Sequence, residues 1–398
     1  MRKVLFCFCS SLLYSIVMGY AQVKPLDDGN YIQQRAGLAR AIKVFKQQKT
    51  ATVAFLGGSI TYNPGWRNKV AAELQSRFPA TKFHFIAAGI PSLGSLPHAF
   101  RFKRDVLDFG KVDLLFLEAA VNDEANGTDS LTQVRSLEGI VRHAKENQPD
   151  IDIVMMSFAD PDKTKTYSEG KIPVPVNNHE LVAGHYGLPS INLAKAVHDR
   201  MANQEFSWAQ DFKDLHPSPF GQELYFKAIQ RLLQDAIKMQ TDTDEKPKIF
   251  IPAALNQGSF SNGHYIGIEN AKISNRWSLQ QNWKPEDGKS TRKGFVHIPM
   301  LCSTEPGSEL SLDFTGNAIG LAVVSGPDAG ILTYSIDNGP EKQLDLYTKW
   351  SKSLHLPWYL LLDTDLNDGP HQLKLKISAS KNESSLGNSC RIAYFLGN

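Results

Sequence analysis

Cysteine is scarce in this chain, and net charge is nearly absent. Only 4 cysteines occur in 398 residues, which excludes a small fold held together by many disulfides. A formal net charge of +2 gives no reason to invoke nucleic acid or an anionic membrane surface as a partner. Beyond the first twenty residues no apolar run is long enough to cross a bilayer. Several motifs are missing as well. There is no GxxxxGK[ST] phosphate loop and no GxGxxG dinucleotide fingerprint. His179-Glu180 and His185 fail HExxH spacing, because the second histidine follows the glutamate by five residues. Two isolated cysteines with no flanking histidine do not make a zinc site. No metal or organic cofactor is expected. Repeats and low-complexity tracts are also lacking.

What remains is an ordinary globular composition, 42% apolar and 21% charged, at a length that suggests two domains. Arg2 and Lys3 precede an apolar run from Val4 to Met18, and Gly19-Tyr20-Ala21 follows with small residues at a cleavage site. Residues 1–21 therefore read as a signal peptide, with the mature chain starting near Gln22 and exported to the periplasm or beyond. Cys7 and Cys9 would leave with it. Cys302 and Cys390 survive, and an even pair in an exported chain suggests a disulfide within the C-terminal third. Two free thiols are the alternative.

The stretch Thr52–Thr61 organises the first half. Val53, Ala54, Phe55 and Leu56 read as a buried strand that Gly57 and Gly58 end. Ser59 then sits beyond the carboxyl end of the strand, the edge where open α/β sheets bind ligands. Residues 28–49, Trp66–Phe78, His98–Phe109, 131–147, 178–185 and a segment from Pro219 to Met239 have helical spacing. Strands are expected at Lys82–Ala88, Val112–Glu118, Ile151–Ser157 and Ser190–Leu193. A loop is expected between Pro161 and Pro175. This alternation predicts a mostly parallel sheet with helices on both faces. Residues 241–249 are polar and read as a linker. From residue 250 to 398 the chain changes to short alternating stretches: Leu310–Phe314, Ala318–Val324, Ile331–Ile336, Gln372–Ile377 and Arg391–Phe395. These predict an all-β, jelly-roll-like sandwich.

Polar residues fall where such a sheet would gather them. Ser59, Gly94-Ser95, Asn122-Asp123 and His216 all lie just past a strand or just before a helix. A serine hydroxyl attacks poorly until an imidazole takes its proton, and an acid must then steady that imidazole. His216 is the base in reach of this pattern. Asp214, Asp211 or a backbone carbonyl is the candidate support. The amides of Ser59 and Gly94 and the side chain of Asn122 are candidate oxyanion donors.

The chain resembles the SGNH hydrolases, or GDSL-type esterases, over residues 50–235. Gly57-Gly58-Ser59-Ile60-Thr61 is similar to the first block of the family, with Gly58 where aspartate is usual. Gly89-Ile-Pro-Ser-Leu-Gly94-Ser95 resembles the glycine block. Ala120-Val121-Asn122-Asp123 resembles GxND, with Ala120 for its glycine. Asp214-Leu215-His216-Pro217 resembles the last block. The family places its acid three residues before the histidine, where this chain has Lys213; Asp214 is favoured instead and Asp211 is the rival. Asp123 is read as a brace for the oxyanion loop. The resemblance implies a flavodoxin-like three-layer hydrolase domain over 22–240. It also implies an exported serine esterase acting on O-acetyl groups of polysaccharides or oligosaccharides through acyl-Ser59. An acyltransferase at the same site and a weakly catalytic glycan-binding protein are the other readings it allows. Trp277, Trp283, Trp350 and Trp358 are expected mostly in packing, with a sugar-binding face as the alternative.

Overall fold

A computed structural model describes residues 23–239 and 251–398. The signal-peptide and linker assignments fall outside the described residues.

The first sheet holds β1 (Ile32–Gln33), β2 (Thr50–Gly57), β3 (Lys82–Gly89), β4 (Leu114–Glu118), β5 (Asp152–Ser157) and β6 (Ser190–Asn192). Its order is β1-β6-β5-β4-β2-β3; β2 to β6 run parallel, and β1 alone is antiparallel. After β3 the chain returns past β2 to lay down β4, β5 and β6 on the other side. That reversal between β2 and β4 is the switch point at which flavodoxin-like sheets open a crevice.

Helices α1 (Ala39–Gln47), α2 (Ser59–Tyr62), α3 (Trp66–Arg77), α4 (Ser95–Asp105), α5 (Ala120–Asn126), α6 (Ser130–Asn147), α7 (Pro161–Ser168), α8 (Val174–His185), α9 (Leu193–Ala202) and α10 (Pro219–Met239) accompany the strands. Alternate residues of β2 and β4 enter two cores. Val53, Phe55, Leu114 and Phe116 meet Ile42, Val70 and Leu232 on one face. Ala54, Leu56, Leu115 and Leu117 meet Phe100, Leu137 and Ile140 on the other. Two buried faces explain why these strands read as unbroken apolar runs.

Some expectations need correcting. Residues 28–49 are not one helix: a 3-10 turn at Asp28–Tyr31 and β1 precede α1. The expected loop after Pro161 holds α7. The Asp160 carboxylate accepts the Lys163 amide at 2.8 Å, and Pro161 occupies the first turn, where its missing N–H costs nothing. The helix expected from His98 begins at Ser95.

The second part is all β: β7 (His264–Ile266), β8 (Lys272–Ile273), β9 (Ser278–Gln280), β10 (Met300–Ser303), β11 (Glu309–Thr315), β12 (Ile319–Ser325), β13 (Ile331–Ile336), β14 (Lys342–Asp345), β15 (Leu356–Asp363), β16 (Pro370–Ile377) and β17 (Cys390–Gly397). They form two antiparallel sheets, β15-β12-β17-β10-β9 with β7 beside β17, and β14-β13-β16-β11-β8. Leu312, Leu321, Leu332, Leu373 and Ile392 fill the space between the sheets. The outer face of the first sheet is not free. Its Met300, Ala322, Val324 and Ala393 join the same core as Phe100 and Leu137 of α4 and α6. Hence β12 is buried at every position, whereas β11 alternates. Polar ties support this junction: Glu138 accepts the Asn256 amide at 2.9 Å, and Arg135 reaches Asp365 at 2.9 Å.

The expected disulfide is absent; Cys302 and Cys390 are free and buried. Register explains it. Cys302 pairs with Arg391 and Ser303 with Cys390, so the two thiols sit one step apart and leave opposite faces of the sheet. Cys302 points toward the helices and Cys390 into the sandwich core. Burial pushes the Cys302 thiol up to about 11. Trp277 and Trp283 are buried, in line with packing, while Trp350 is exposed.

Candidate active site

The switch point gathers the polar residues. Beyond β2, Gly58 is the last residue before the single turn α2, and Ser59 is the first residue of that turn. Tyr62 and Asn63 donate back to the Gly58 and Ser59 carbonyls at 2.9 Å each, which closes the turn. The amide of Ser59, at the start of α2, has no acceptor within that turn. Glycine at 58 makes room for Asn122: a Cβ there would stand 2.0 Å from Asn122 Oδ1 and 3.3 Å from the Leu93 carbonyl. The side chain of Asn122, from α5, therefore lies directly over the turn that carries Ser59.

The third loop approaches in the same way. Gly94 precedes α4, and a Cβ on it would meet Asp123 Oδ1 at 2.4 Å. That oxygen accepts from the Ser95 amide at 2.8 Å and the Ser95 hydroxyl at 2.9 Å. Asp123 thus fastens the Gly94 loop to α5. Complete burial raises its carboxyl to about 7, against the pull of the Ser95 bonds. Glu118, at the end of β4, is likewise raised by burial to about 7.

His216 arrives from the opposite side of the sheet edge. Its Nε2 lies 2.8 Å from Ser59 Oγ. The preceding segment Trp208–Phe212 is a π-helical turn capped by Ser207, whose hydroxyl accepts from the Gln210 amide. Lys213 follows with φ 76° and ψ −51°, and the Asp214 amide donates across it to the Phe212 carbonyl at 3.1 Å. This is a strained γ-turn, held by its surroundings. It leaves Asp214 Oδ1 3.7 Å from His216 Nδ1 and 3.1 Å from the His216 amide. The nearer bond goes to backbone, so the carboxylate faces the ring without hydrogen-bonding it. Asp211 is turned away: its Oδ2 accepts the Ser207 amide at 2.8 Å. Gln222 of α10 accepts the Trp66 amide at 2.9 Å, which ties the helix after His216 to the helix after Ser59.

The structure therefore brings Ser59, Gly94, Asn122 and His216 to one edge, with Asp214 beside the histidine. His216 and Asp214 are well exposed, their side chains 45% and 65% accessible, so the site is open to solvent. Its chemistry is that of a hydroxyl nucleophile with a base in contact and amide groups around it. Among the described residues no group of three or more His, Cys, Asp or Glu side chains could hold a metal ion. His179 instead binds the Pro175 carbonyl, and Glu180 pairs with Arg35.

Sequence reasoning passed over two supports. Arg101 is fully buried under the site. It donates to the Gly57 and Ala88 carbonyls at 3.2 and 2.7 Å and pairs with Asp105 at 2.7 Å, clamping the ends of β2 and β3. Its place four residues before Asp105 on one helix was the available signal. Arg292, from the all-β part, donates to Ser92 Oγ at 3.0 Å in the Gly94 loop. Nothing local to residue 292 announces that contact.

Over most of its length the chain resembles a two-domain esterase (CEX) active on acetylated mannans. It is 19% identical to that protein at a TM-score of 0.75, with 93% of this chain and 97% of the other covered in the mannopentaose co-crystal. The structure without the oligosaccharide gives the same identity and TM-score and covers 98% of that chain. The likeness establishes a shared two-part fold. A search of curated protein sequences found no match. Residues 55–224, which span Ser59, Gly94, Asn122 and His216, match the GDSL-like Lipase/Acylhydrolase family, and the chain carries a domain of that family.

Proposed function

We propose that this protein is an exported serine esterase that removes O-acyl groups, most simply acetyl, from carbohydrates. The observation that carries the reading is the 2.8 Å contact between Ser59 Oγ and His216 Nε2, amid the Gly94 and Asn122 loops. Ser59 Oγ attacks the ester carbonyl carbon while His216 takes its proton. The carbonyl oxygen becomes an oxyanion and rests on the amides of Ser59 and Gly94 and on the Asn122 side chain. The tetrahedral intermediate collapses to acyl-Ser59, and the departing sugar oxygen receives the proton from His216. Water then attacks the acyl carbonyl, with His216 again as base, and releases the carboxylic acid and free Ser59. Asp214 favours the imidazolium through space. No step of this mechanism draws on a metal or organic cofactor.

Support for a carbohydrate substrate comes from two directions. The site is an open edge rather than a closed lipid tunnel, which suits a polymer. The two-domain esterase it resembles over most of its length is described as active on acetylated mannans. The test is acetate release from acetylated mannan and acetylated xylan by the purified chain. Ser59→Ala should remove at least about 10³ of the rate; an undiminished rate would sink the nucleophile assignment.

A further inference from the structure

The arginines of this chain fall into two groups. Nearly all those in the described residues lie within ion-pair distance of a carboxylate. Examples are Arg35 with Glu180, Arg101 and Arg104 with Asp105, Arg135 with Asp365, and Arg391 with Asp328. The others are Arg40, Arg77, Arg142, Arg200, Arg231 and Arg276, each with its own acid. Arg67 and Arg292 are the exceptions: among the described residues no carboxylate pairs with either.

Both exceptions hydrogen-bond the loops that form the active site. Arg67 Nε donates to the Thr61 carbonyl at 3.0 Å, two residues after Ser59 on the same turn. Arg292 Nε donates to Ser92 Oγ at 3.0 Å, two residues before Gly94. The two loops touch, since the Cβ position of Gly58 is 3.3 Å from the Leu93 carbonyl. The Ser92 loop is itself fixed: Ser92 holds φ 71°, and its carbonyl accepts from Asn126 Nδ2 at 3.0 Å. Each arginine is half-buried, and burial alone depresses each guanidinium, with no acid acting against it. Each is anchored through Nε, and among the described residues neither terminal fork of two nitrogens makes a hydrogen bond. A guanidinium fork matches a carboxylate bidentately. A cation kept partly out of water without a counter-ion is costly unless a ligand supplies one.

We infer that Arg67 and Arg292 are specificity-determining residues that select an anionic glycan, an O-acylated chain carrying uronate carboxylates, across Ser59. The inference rests on the esterase reading above and deepens it. One arginine comes from the hydrolase part and the other from the all-β part, so the anion-selecting rim exists only when both parts are present. An uncharged acetylated glycan meets the same nucleophile but leaves both cations unpaired.

The test uses the full chain and one uronate-bearing oligosaccharide in two forms. In one form the carboxyls are intact; in the other they are reduced to alcohols, and both are acetylated to the same degree. The readout is the ratio of kcat/KM for acetate release from the acidic and the neutral form. The expected ratio is at least about tenfold at low salt, the scale of one charge-assisted hydrogen bond, and it shrinks as salt rises. Arg67→Gln and Arg292→Gln should each lower the ratio, the double substitution should bring it to about one, and Arg292→Lys should restore part of it. Because the readout is a ratio, a general loss of folded enzyme cancels. A wild-type ratio near one, or a ratio that survives the double substitution, would overturn the inference while leaving the esterase reading intact. If the wild type released acetate from neither form and turned over no aryl acetate, the esterase reading itself would fall, and this inference with it.

Discussion

Replacing Asp214 by asparagine should slow this enzyme only modestly. In a tightly coupled triad the acid hydrogen-bonds the imidazole and is buried, and its amide replacement costs about 10⁴ in kcat. Here Asp214 Oδ1 stands 3.7 Å from His216 Nδ1, and the side chain is 65% exposed. Two unit charges near 4 Å attract by about 1 kcal/mol under water-like screening and about 4 kcal/mol at the effective dielectric of a protein surface. With solvent on both groups the lower figure governs, and exposed ion pairs are seldom worth more than about 1 kcal/mol. The imidazolium formed at the transition state therefore loses about 1 kcal/mol in Asp214→Asn, a drop of roughly fivefold to tenfold in kcat. The assay is turnover of a small aryl acetate on the plateau of the pH–rate profile, for wild type and variant, at low salt and at about 1 M salt. High salt should narrow the gap, because an exposed pair is screened within a few ångström. A loss of 10³ or more, insensitive to salt, would refute the reasoning. It would mean that Asp214 closes onto the ring during catalysis and that the γ-turn at Lys213 is a mobile hinge.

Gly58→Ala should cost about 10²–10³ in kcat, the worth of one oxyanion donor, because its Cβ would fall 2.0 Å from Asn122 Oδ1 and displace that side chain. Wild-type kcat in this variant would remove Asn122 from the oxyanion site. Asp123 gives a pH test. Burial raises its carboxyl to about 7, above the ordinary value of about 4 in the unfolded chain. The folded state then holds a proton that the unfolded state has released. This stabilisation is complete below about pH 4 and is lost as pH rises through about 7. In Asp123→Asn the new side-chain amide would still offer an oxygen to the Ser95 amide and hydroxyl. The melting temperature of this variant should therefore fall less between pH 5 and pH 8 than that of wild type. Glu118, raised to about 7 by burial, keeps part of the slope. Identical slopes would show that Asp123 does not carry this proton.

The parts of the site that were legible in the sequence are those whose meaning is local. Gly57-Gly58-Ser59 follows an apolar run, Asn122 follows another, and His216 precedes a proline-started helix. A parallel sheet then brings strand ends to one edge, whatever the loops between them do. The acid was left ambiguous for a backbone reason. The π-helical turn at Trp208–Phe212 and the positive φ of Lys213 decide which aspartate faces His216, and no residue in Phe212-Lys213-Asp214 signals such a turn. The disulfide expectation failed on a similar point: counting cysteines gives parity, whereas strand register decides which face each thiol leaves from. The helix α7 is legible in Asp160-Pro161, a cap followed by the residue best suited to a first turn, although Gly170, Pro173 and Pro175 soon after it resemble a loop. Arg67 and Arg292 belong to a different class. What marks them is a missing partner, and a missing partner is a property of three-dimensional surroundings that charge counting cannot show: near-neutral net charge is compatible with every arginine being paired or with two being left over. That the two left over both hydrogen-bond the loops around Ser59, from separate halves of the chain, is why the junction between those halves bears on substrate choice as well as on stability.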